Sequence, residues 1–198
     1  MLSYTWIIEH TAFCHYNTLM QKLPIQKAFT LLEPGPVVLV TTTDSGKQNI
    51  MTLSWTMVMD FTPRFAFLTG PWNFSYKALK KTGECVIAIP ALDLIKKTVQ
   101  IGSCSGAQVE KFSKFKLIPL EAENVSAPLI KECYANIECF VVDHIKQHNI
   151  FVLDGITAWI DIKKVEKRCF HAIGDGRFLA DGETLNYRRL MASKLPCL

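Results

Sequence analysis

The segment between Asn49 and Trp55 constrains the fold more than any other part of the chain. Apolar and hydroxyl side chains alternate through it and just beyond: Met51, Leu53, Trp55, Met57 and Met59 on one side, Thr52, Ser54 and Thr56 on the other. This period of two predicts a strand from about residue 48 to residue 59 with its apolar face in a core. The other face offers small hydroxyls, which let a flat ligand approach the backbone. An ordinary strand with a polar outer face is the simpler interpretation, because Thr is a good strand residue.

The composition indicates a soluble globular protein. The chain has 198 residues, 49% of them apolar and 20% charged, which is enough for one domain with a substantial core. The net charge of +4 is modest and the lysines are scattered, so nucleic acid is not an expected partner. No apolar stretch approaches the roughly 20 residues of a membrane span, so no membrane association is expected either.

The cysteines and the first residues point to the cytoplasm. The seven cysteines are odd in number, form no C-x-x-C pair and lie partly inside apolar strands, which favours reduced, buried thiols over a disulfide framework. His144 and His148 have no neighbours at a recognised metal-ligand spacing, so no metal site is predicted. Residues 1–19 lack the pattern of a secretory signal. We interpret them as an N-terminal extension of doubtful status, and residues 20–198 as a single domain.

The remaining pattern predicts a mainly β fold with short helices. Strands are expected at 37–43, 65–69, 85–89, 135–143 and 150–162, and helices at 25–32, 74–82 and 92–101. Asp44-Ser45-Gly46 is a turn that joins antiparallel strands, and residues 178–185 are expected to form a small hairpin. Many short strands with hairpin turns favour an antiparallel barrel. A doubly wound dinucleotide fold is disfavoured, because no Gly-rich loop links a strand to a helix.

Three pieces of the chain can converge on an anionic, aromatic ligand. Thr52 and Ser54 can meet a heteroaromatic edge, and the helix start near Asn73 and Ser75 can hold a phosphate. The loop of Cys104, Ser105 and Gly106 can add backbone N–H groups. Each piece also has a plain interpretation: Asn73 or Ser75 can be simple helix caps, and Cys104 a bystander thiol with no activating His nearby in sequence.

No catalytic motif accompanies these pieces. The chain contains no G-x-S-x-G, no H-E-x-x-H and no Walker loop, and we assign no catalytic side chain and no metal ligand. If the protein is an enzyme, a cofactor is expected to carry the difficult step.

Five segments together resemble the flavin reductase-like family, which includes flavoredoxin. They occur in the family's order and without large gaps across about residues 20 to 190: residues 34–41, 46–55, 76–87, 104–112 and 127–139. The resemblance implies a split antiparallel β-barrel that binds FMN non-covalently, usually as a homodimer with the flavin near the subunit boundary. One departure concerns the phosphate: many relatives carry Arg-Asp after Ser-Gly, where this chain has Ala107-Gln108, and so lacks a guanidinium that pairs with phosphate.

The resemblance also implies the cofactor-binding residues. By analogy the segment from Asn49 to Trp55 lies against the isoalloxazine ring, with Thr52 and Ser54 at its polar edge and Met51 and Trp55 shaping the pocket. The phosphate and ribityl chain are taken by Asn73, Phe74, Ser75 and Tyr76. The loop of Cys104, Ser105 and Gly106, with Lys111, closes over the flavin or approaches a nicotinamide.

The leading hypothesis is therefore an FMN-dependent oxidoreductase, a flavin reductase using NADH or NADPH as transient co-substrate. It passes electrons to free flavin, to a redox protein partner or to another acceptor. A second hypothesis is a flavoredoxin-like electron carrier that is reduced by a protein partner. A third is a non-catalytic barrel that binds another ligand, since a fold does not determine a function.

Overall fold

The computed structural model describes residues 20–195. The expected extension at 1–19 lies outside these residues, as do Cys14 and Cys197. Within the described range the chain forms twelve strands: β1 Met20–Leu23, β2 Val38–Asp44, β3 Lys47–Leu53, β4 Thr56–Val58, β5 Arg64–Leu68, β6 Glu84–Ile89, β7 Pro119–Leu120, β8 Leu129–Ile130, β9 Ala135–Ile145, β10 Ile150–Asp161, β11 Phe170–Ala172 and β12 Phe178–Ala180. Three α-helices lie between them: α1 Ser75–Thr82, α2 Ile95–Gly102 and α3 Lys111–Lys114. Short 3₁₀ helices occur at Ile25–Leu31, Leu92–Leu94 and Lys146–His148.

The main sheet is antiparallel and curls on itself. Its strand order is β3-β2-β6-β9-β10-β5-β4, and β1 pairs with the far half of β10. The end strands β3 and β4 follow one another in the chain with only Ser54 and Trp55 between them. Two residues cannot span a flat sheet of seven strands spaced about 4.8 Å apart, so the sheet has to bend into a barrel that is split between β3 and β4. The predicted antiparallel split barrel is confirmed.

Two apolar layers lie on opposite faces of β2 and β3. The barrel interior contains Val38, Val40, Met51, Leu53, Phe65, Phe67, Ile87, Ile137 and Leu153. A second cluster lies beneath α2 and α3 and contains Leu39, Ile50, Ala88, Ile101, Phe112 and Leu117. Burial on both faces explains why β2 is a continuous β-branched run instead of an alternating one. No helix within residues 20–195 is long and apolar enough to cross a bilayer.

The predicted strand over 48–59 is wrong in its second half. β3 ends at Leu53, and the chain passes through the exposed Ser54 and Trp55 before β4 begins. Met51 and Leu53 are buried as expected, but Trp55, Met57 and Met59 are 67%, 51% and 46% exposed. The alternation does not continue into the core because the chain leaves one end of the sheet and joins the other at this point.

The predicted helix at 25–32 is present as a 3₁₀ helix at Ile25–Leu31. Another prediction needs correction. The C-terminal hairpin is not 178–185: Phe178–Ala180 pairs with Phe170–Ala172, and its turn contains Gly174, Asp175 and Gly176 at positive φ. The turn after β2 is as predicted, with Ser45 and Gly46 both at positive φ in a two-residue hairpin loop.

Candidate functional site

Three polar side chains meet where α1 begins against β2 and β3. Thr42 and Asn49 are direct cross-strand partners, and both reach the hydroxyl of Ser75. Thr42 Oγ1 donates to Ser75 Oγ at 3.1 Å and Asn49 Nδ2 donates to it at 2.8 Å. The two hydroxyls share one hydrogen bond and Asn49 donates a second to Ser75, so one hydroxyl proton of the Thr42–Ser75 pair has no acceptor within residues 20–195. Ser75 is only 1% exposed, so this spare donor is unusual for a buried hydroxyl.

A cavity of about 200 Å³ opens beside this triad. Its walls come from the β2–β3 hairpin and the first turns of α1: Thr42, Asp44, Lys47, Asn49, Phe74, Ser75, Lys77 and Ala78. The cavity is therefore built from two strands and a helix start, which is the usual setting for an anion held by backbone and hydroxyl donors.

The cavity has an excess of positive charge. Lys81 forms an ion pair with Asp44, and the hydrogen bonds from Lys81 and Ser45 hold the pKa of that carboxyl below its ordinary value. Lys47 and Lys77 have no carboxylate within ion-pair distance in the described part of the chain. Lys47 lies over the Phe74 ring, with Nζ 4.8 Å from its centroid. Two lysines thus line the cavity without a carboxylate partner among residues 20–195.

The loop between α2 and α3 packs onto β3 through its glycines. A Cβ on Gly102 would lie 3.2 Å from Thr52 Cβ, and one on Gly106 would lie 2.1 Å from Asn49 Oδ1 and 2.8 Å from the Phe74 ring. Only glycine fits at residue 106, because any larger residue would have to move Asn49 or Phe74. The loop is therefore seated directly on the strand that supplies the polar triad.

Cys104 and the other cysteines of the described residues are free. Cys85, Cys133, Cys139 and Cys169 are buried, as predicted from their apolar surroundings, while Cys104 is partly exposed. Burial raises the pKa of Cys169 to about 11 and also raises that of Cys133 and Cys139, so these three thiols stay protonated at neutral pH. Cys104 Sγ lies 3.7 Å from the carbonyl oxygen of Ile101.

Comparison with known proteins identifies the family. The model of the flavin reductase-like domain matches residues 31–177. The chain belongs to the flavin reductase-like family. Among solved structures, the FMN-binding domain of a flavin reductases-like enzyme from Shewanella baltica OS155 has a TM-score of 0.79 and 26% identity, with 84% of this chain and 96% of that chain covered. Flavoredoxin of Desulfovibrio vulgaris (Miyazaki F) has a TM-score of 0.69 and 25% identity, covering 77% and 89%.

The sequence relatives carry no established activity. An uncharacterized protein from Archaeoglobus fulgidus is 36% identical over 109 residues, or 54% of this chain and 62% of the relative. The chain thus spans less than two thirds of that relative's length. What the family establishes is the fold of the FMN-binding split barrels, as predicted from the sequence.

The structure gathers part of the expected flavin reductase-like site and disperses the rest. Asn49, Phe74, Ser75 and Gly106 surround or adjoin the cavity. Thr52 lies under Gly102 and donates to the carbonyl of Thr98 at 2.8 Å. Four of the expected site residues lie away from the cavity. Ser54 and Trp55 are at the exposed β3–β4 corner, Met51 is inside the barrel, and Tyr76 packs edge-on against His144 and Phe151.

Several expected contacts are replaced by others. Neither Asn73 nor Ser75 caps α1, whose N-cap residue is Phe74 with no side-chain cap bond. Asn73 Nδ2 instead donates to Thr69 Oγ1 at 2.9 Å. Ser105 is occupied within the loop: its carbonyl accepts the N–H groups of Gln108 and Val109. Lys111 is 4% exposed and bonded to two backbone carbonyls, so its side chain does not extend over the cavity.

Of the cavity residues that were not predicted from the sequence, three can contact a ligand through polar side chains without an ion-pair partner: Thr42, Lys47 and Lys77. Thr42 and Lys47 could have been predicted from the turn alone. A two-residue loop at Ser45 and Gly46 pairs Asp44 with Lys47 and, counting back, Thr42 with Asn49. Lys77 lies in the first turn of α1, and no sequence motif marks it as a cavity residue.

Proposed function

We propose that this protein is a cytoplasmic FMN-dependent oxidoreductase that takes electrons from NADH or NADPH and passes them to free flavin or another acceptor. The observation that carries the proposal is the spare hydroxyl proton of the buried Thr42–Ser75 pair, in a cavity lined by Lys47 and Lys77, which have no carboxylate partner among residues 20–195. A terminal phosphate needs buried hydrogen-bond donors and positive charge, and this cavity supplies both.

The donor set matches a phosphomonoester in chemistry and in position. The Thr42–Ser75 pair would donate its spare proton to a phosphate oxygen, and Lys47 and Lys77 would neutralise the charge. The start of α1 would add the favourable end of the helix dipole. The lysines also account for the departure at Ala107-Gln108, because they provide cations where many relatives have an arginine in the next loop.

The ring of the cofactor would lie along β3. From the proposed phosphate position the chain leads from Asn49 along β3 to the β3–β4 corner, with the loop that contains Gly106 on one side. When bound, FMN supplies the ability to accept a hydride and to release electrons singly or in pairs. The protein contributes placement and exclusion of water, and no side chain is assigned as an acid or base.

Flavin binding is tested by comparing FMN with riboflavin. Purified protein is titrated with each flavin, and the Ser75→Ala variant is titrated in parallel. Loss of a charge-assisted hydrogen bond is expected to raise the Kd for FMN by about tenfold or more, while the Kd for riboflavin stays the same. Ser113→Ala, an exposed hydroxyl on α3, is the control. Equal losses for both flavins would contradict the phosphate assignment, and colourless protein that cannot be reconstituted would favour the non-catalytic barrel.

Reductase activity is tested by anaerobic mixing. NADH and then NADPH are added to the FMN-loaded protein, and the flavin absorbance is followed. Bleaching by either nucleotide supports the reductase. The second candidate is a flavoredoxin-like electron carrier, which the structural similarity to flavoredoxin favours. It predicts stable FMN binding with no reduction by either nucleotide, and reduction only through a redox protein.

A homodimer completes the proposal. The exposed apolar strip formed by Trp55, Met57, Met59 and Phe61, each between 46% and 67% exposed, follows the edge strand β4 beside the split. Contiguous apolar side chains on an edge strand favour burial against another chain. Light scattering is expected to give twice the chain mass, and a Met57→Lys, Met59→Lys double variant is expected to give the monomer. A monomeric wild type would contradict this part of the proposal.

A further inference from the structure

Lys111 is a buried cation whose hydrogen-bond partners among residues 20–195 are both backbone carbonyls. It is the first residue of α3 and is 4% exposed. Its Nζ donates to the carbonyl oxygens of Ile50 at 2.8 Å and Ile101 at 2.9 Å. Burial lowers the pKa of this ammonium, and two charge-assisted bonds offset part of the desolvation. An apolar residue would fill the same space with less penalty, so stability alone does not account for a lysine here.

The two carbonyls belong to β3 and to the end of α2, next to the loop that packs on the proposed flavin site. Ile50 is in the middle of β3, directly after Asn49 of the polar triad. Ile101 is in the last turn of α2, directly before the loop whose glycines sit on β3. One side chain therefore ties the strand to the base of the loop. The loop also has internal hydrogen bonds, in which the Ser105 carbonyl accepts the N–H groups of Gln108 and Val109, so exchange of these two amides reports whether the loop keeps its conformation.

We propose that Lys111 is a positioning residue that holds the loop of residues 103–110 on β3 and so sets the width of the flavin site. The inference rests on the proposed function for its ligand, but the loop attachment is a property of the protein alone. Without the two bonds, Gly106 is no longer held against Asn49 and Phe74, and the loop can move away from the strand.

The test compares Lys111→Met with Lys114→Met, which removes an exposed lysine from the same helix. Hydrogen exchange of the ligand-free proteins is measured first. Lys111→Met is expected to speed exchange of the Gln108 and Val109 amides selectively, at least tenfold relative to amides of β6 and β9. Lys114→Met is expected to match wild type. FMN titration of the same proteins is expected to show a Kd about tenfold higher for Lys111→Met only.

Rescue separates positioning from a general structural role. Lys111→Arg keeps the charge and the donors and is expected to restore most of the loop protection and the FMN affinity. Uniform faster exchange over the whole molecule with an unchanged Kd would overturn the proposal, and so would an Arg variant as loose as the Met variant. A wild type that binds no FMN would refute the proposed function, while the exchange result would still decide the loop attachment.

A second variant tests the same idea without touching Lys111. Gly106→Ala places a Cβ 2.1 Å from Asn49 Oδ1, so it is expected to lift the loop and weaken FMN binding to a similar degree. This variant keeps the proposal open to refutation if Lys111→Met does not fold. Wild-type FMN affinity in Gly106→Ala would overturn the proposal, because the position of the loop on β3 would then have no effect on FMN binding.

Discussion

Two buried polar groups of this barrel are satisfied to very different degrees. Glu138 on β9 is 0% exposed and accepts four hydrogen bonds: from the backbone N–H groups of Glu123 and Asn124 at 3.1 and 2.6 Å, from Asn124 Nδ2 at 3.3 Å and from Trp159 Nε1 at 2.7 Å. The Thr42–Ser75 hydroxyl pair is also buried, but it keeps one unused proton beside two lysines that lack a counter-charge among residues 20–195. Complete satisfaction marks a group that organises the fold, whereas a spare donor marks a place prepared for another molecule.

The largest effect on stability is expected for Glu138, the fully hydrogen-bonded group. Glu138→Gln puts an amide nitrogen where an oxygen accepts N–H groups, so buried donors lose their acceptor. We expect a loss of about 2–4 kcal/mol in the free energy of unfolding, measured by urea titration, with no selective effect on FMN binding. Glu132→Gln is the control, because Glu132 also accepts a backbone N–H, from Ile118, but is partly exposed. A change in FMN affinity without a loss of stability would contradict the assignment of Glu138 to the fold.

Substitution of the cavity lysines is expected to weaken FMN binding and to change stability little. A Lys47→Met, Lys77→Met double variant removes charge that no protein group neutralises, so the free energy of unfolding should change little. The Kd for FMN at low salt is expected to rise by about tenfold, and the difference should shrink at high salt as the charges are screened. Lys80→Met, on the same helix but outside the cavity wall, serves as the control. Equal losses of affinity for FMN and riboflavin would show that these lysines do not contact the phosphate.

The smallest effect is expected for His171, and its size should change with pH. Its Nδ1 lies 3.1 Å from the carbonyl of Gly35 and its Nε2 lies 2.7 Å from Asp181. Both partners are acceptors, so the doubly protonated ring fits best. Burial lowers the pKa of His171, but the hydrogen bonds to Asp181 and Gly35 outweigh it and the net pKa is raised above 6.5.

The sign of the pH dependence follows from that raised pKa. Protonated His171 stabilises the folded state fully below pH 6.5, and the contribution is lost as pH rises through the higher folded pKa. Wild type should therefore exceed His171→Gln by up to about 1 kcal/mol at pH 5.5 and by less at pH 8.5. Urea midpoints at the two pH values give the measurement. His144 has a lowered pKa and acts in the opposite sense, but it is common to both proteins. A difference that grows with pH would contradict the assignment.

The parts of the fold that depend on neighbouring residues were predictable from the sequence. The Asp44-Ser45-Gly46 turn determines the β2–β3 hairpin and its register, and the β-branched run before it indicates a buried strand. The family segments then gave the split barrel. The segment from Asn49 to Leu53 and the start of α1 were correctly expected to adjoin each other.

The parts that depend on distant contacts were not predictable. Nothing near Ser75 reveals that Thr42 and Asn49, 33 and 26 residues away, form hydrogen bonds with its hydroxyl. In the sequence, Lys111 is an ordinary basic residue. Its Nζ lies between two carbonyl oxygens because α3 packs against β3. Trp55, Met57 and Met59 continue the apolar alternation of β3, but their exposure depends on where the sheet ends, which is a property of the whole barrel.

The junction at Ser54 and Trp55 limits how the barrel can open. Three consecutive Cα–Cα steps join Leu53 to Thr56, and each step is 3.8 Å, so the adjacent ends of β3 and β4 can never be more than about 11 Å apart. The opposite ends of these two strands have no such tether. Any widening of the split must therefore be wedge-shaped, with its apex at this corner, and a ligand or a partner that needs more space can gain it only at the end of the barrel remote from Trp55.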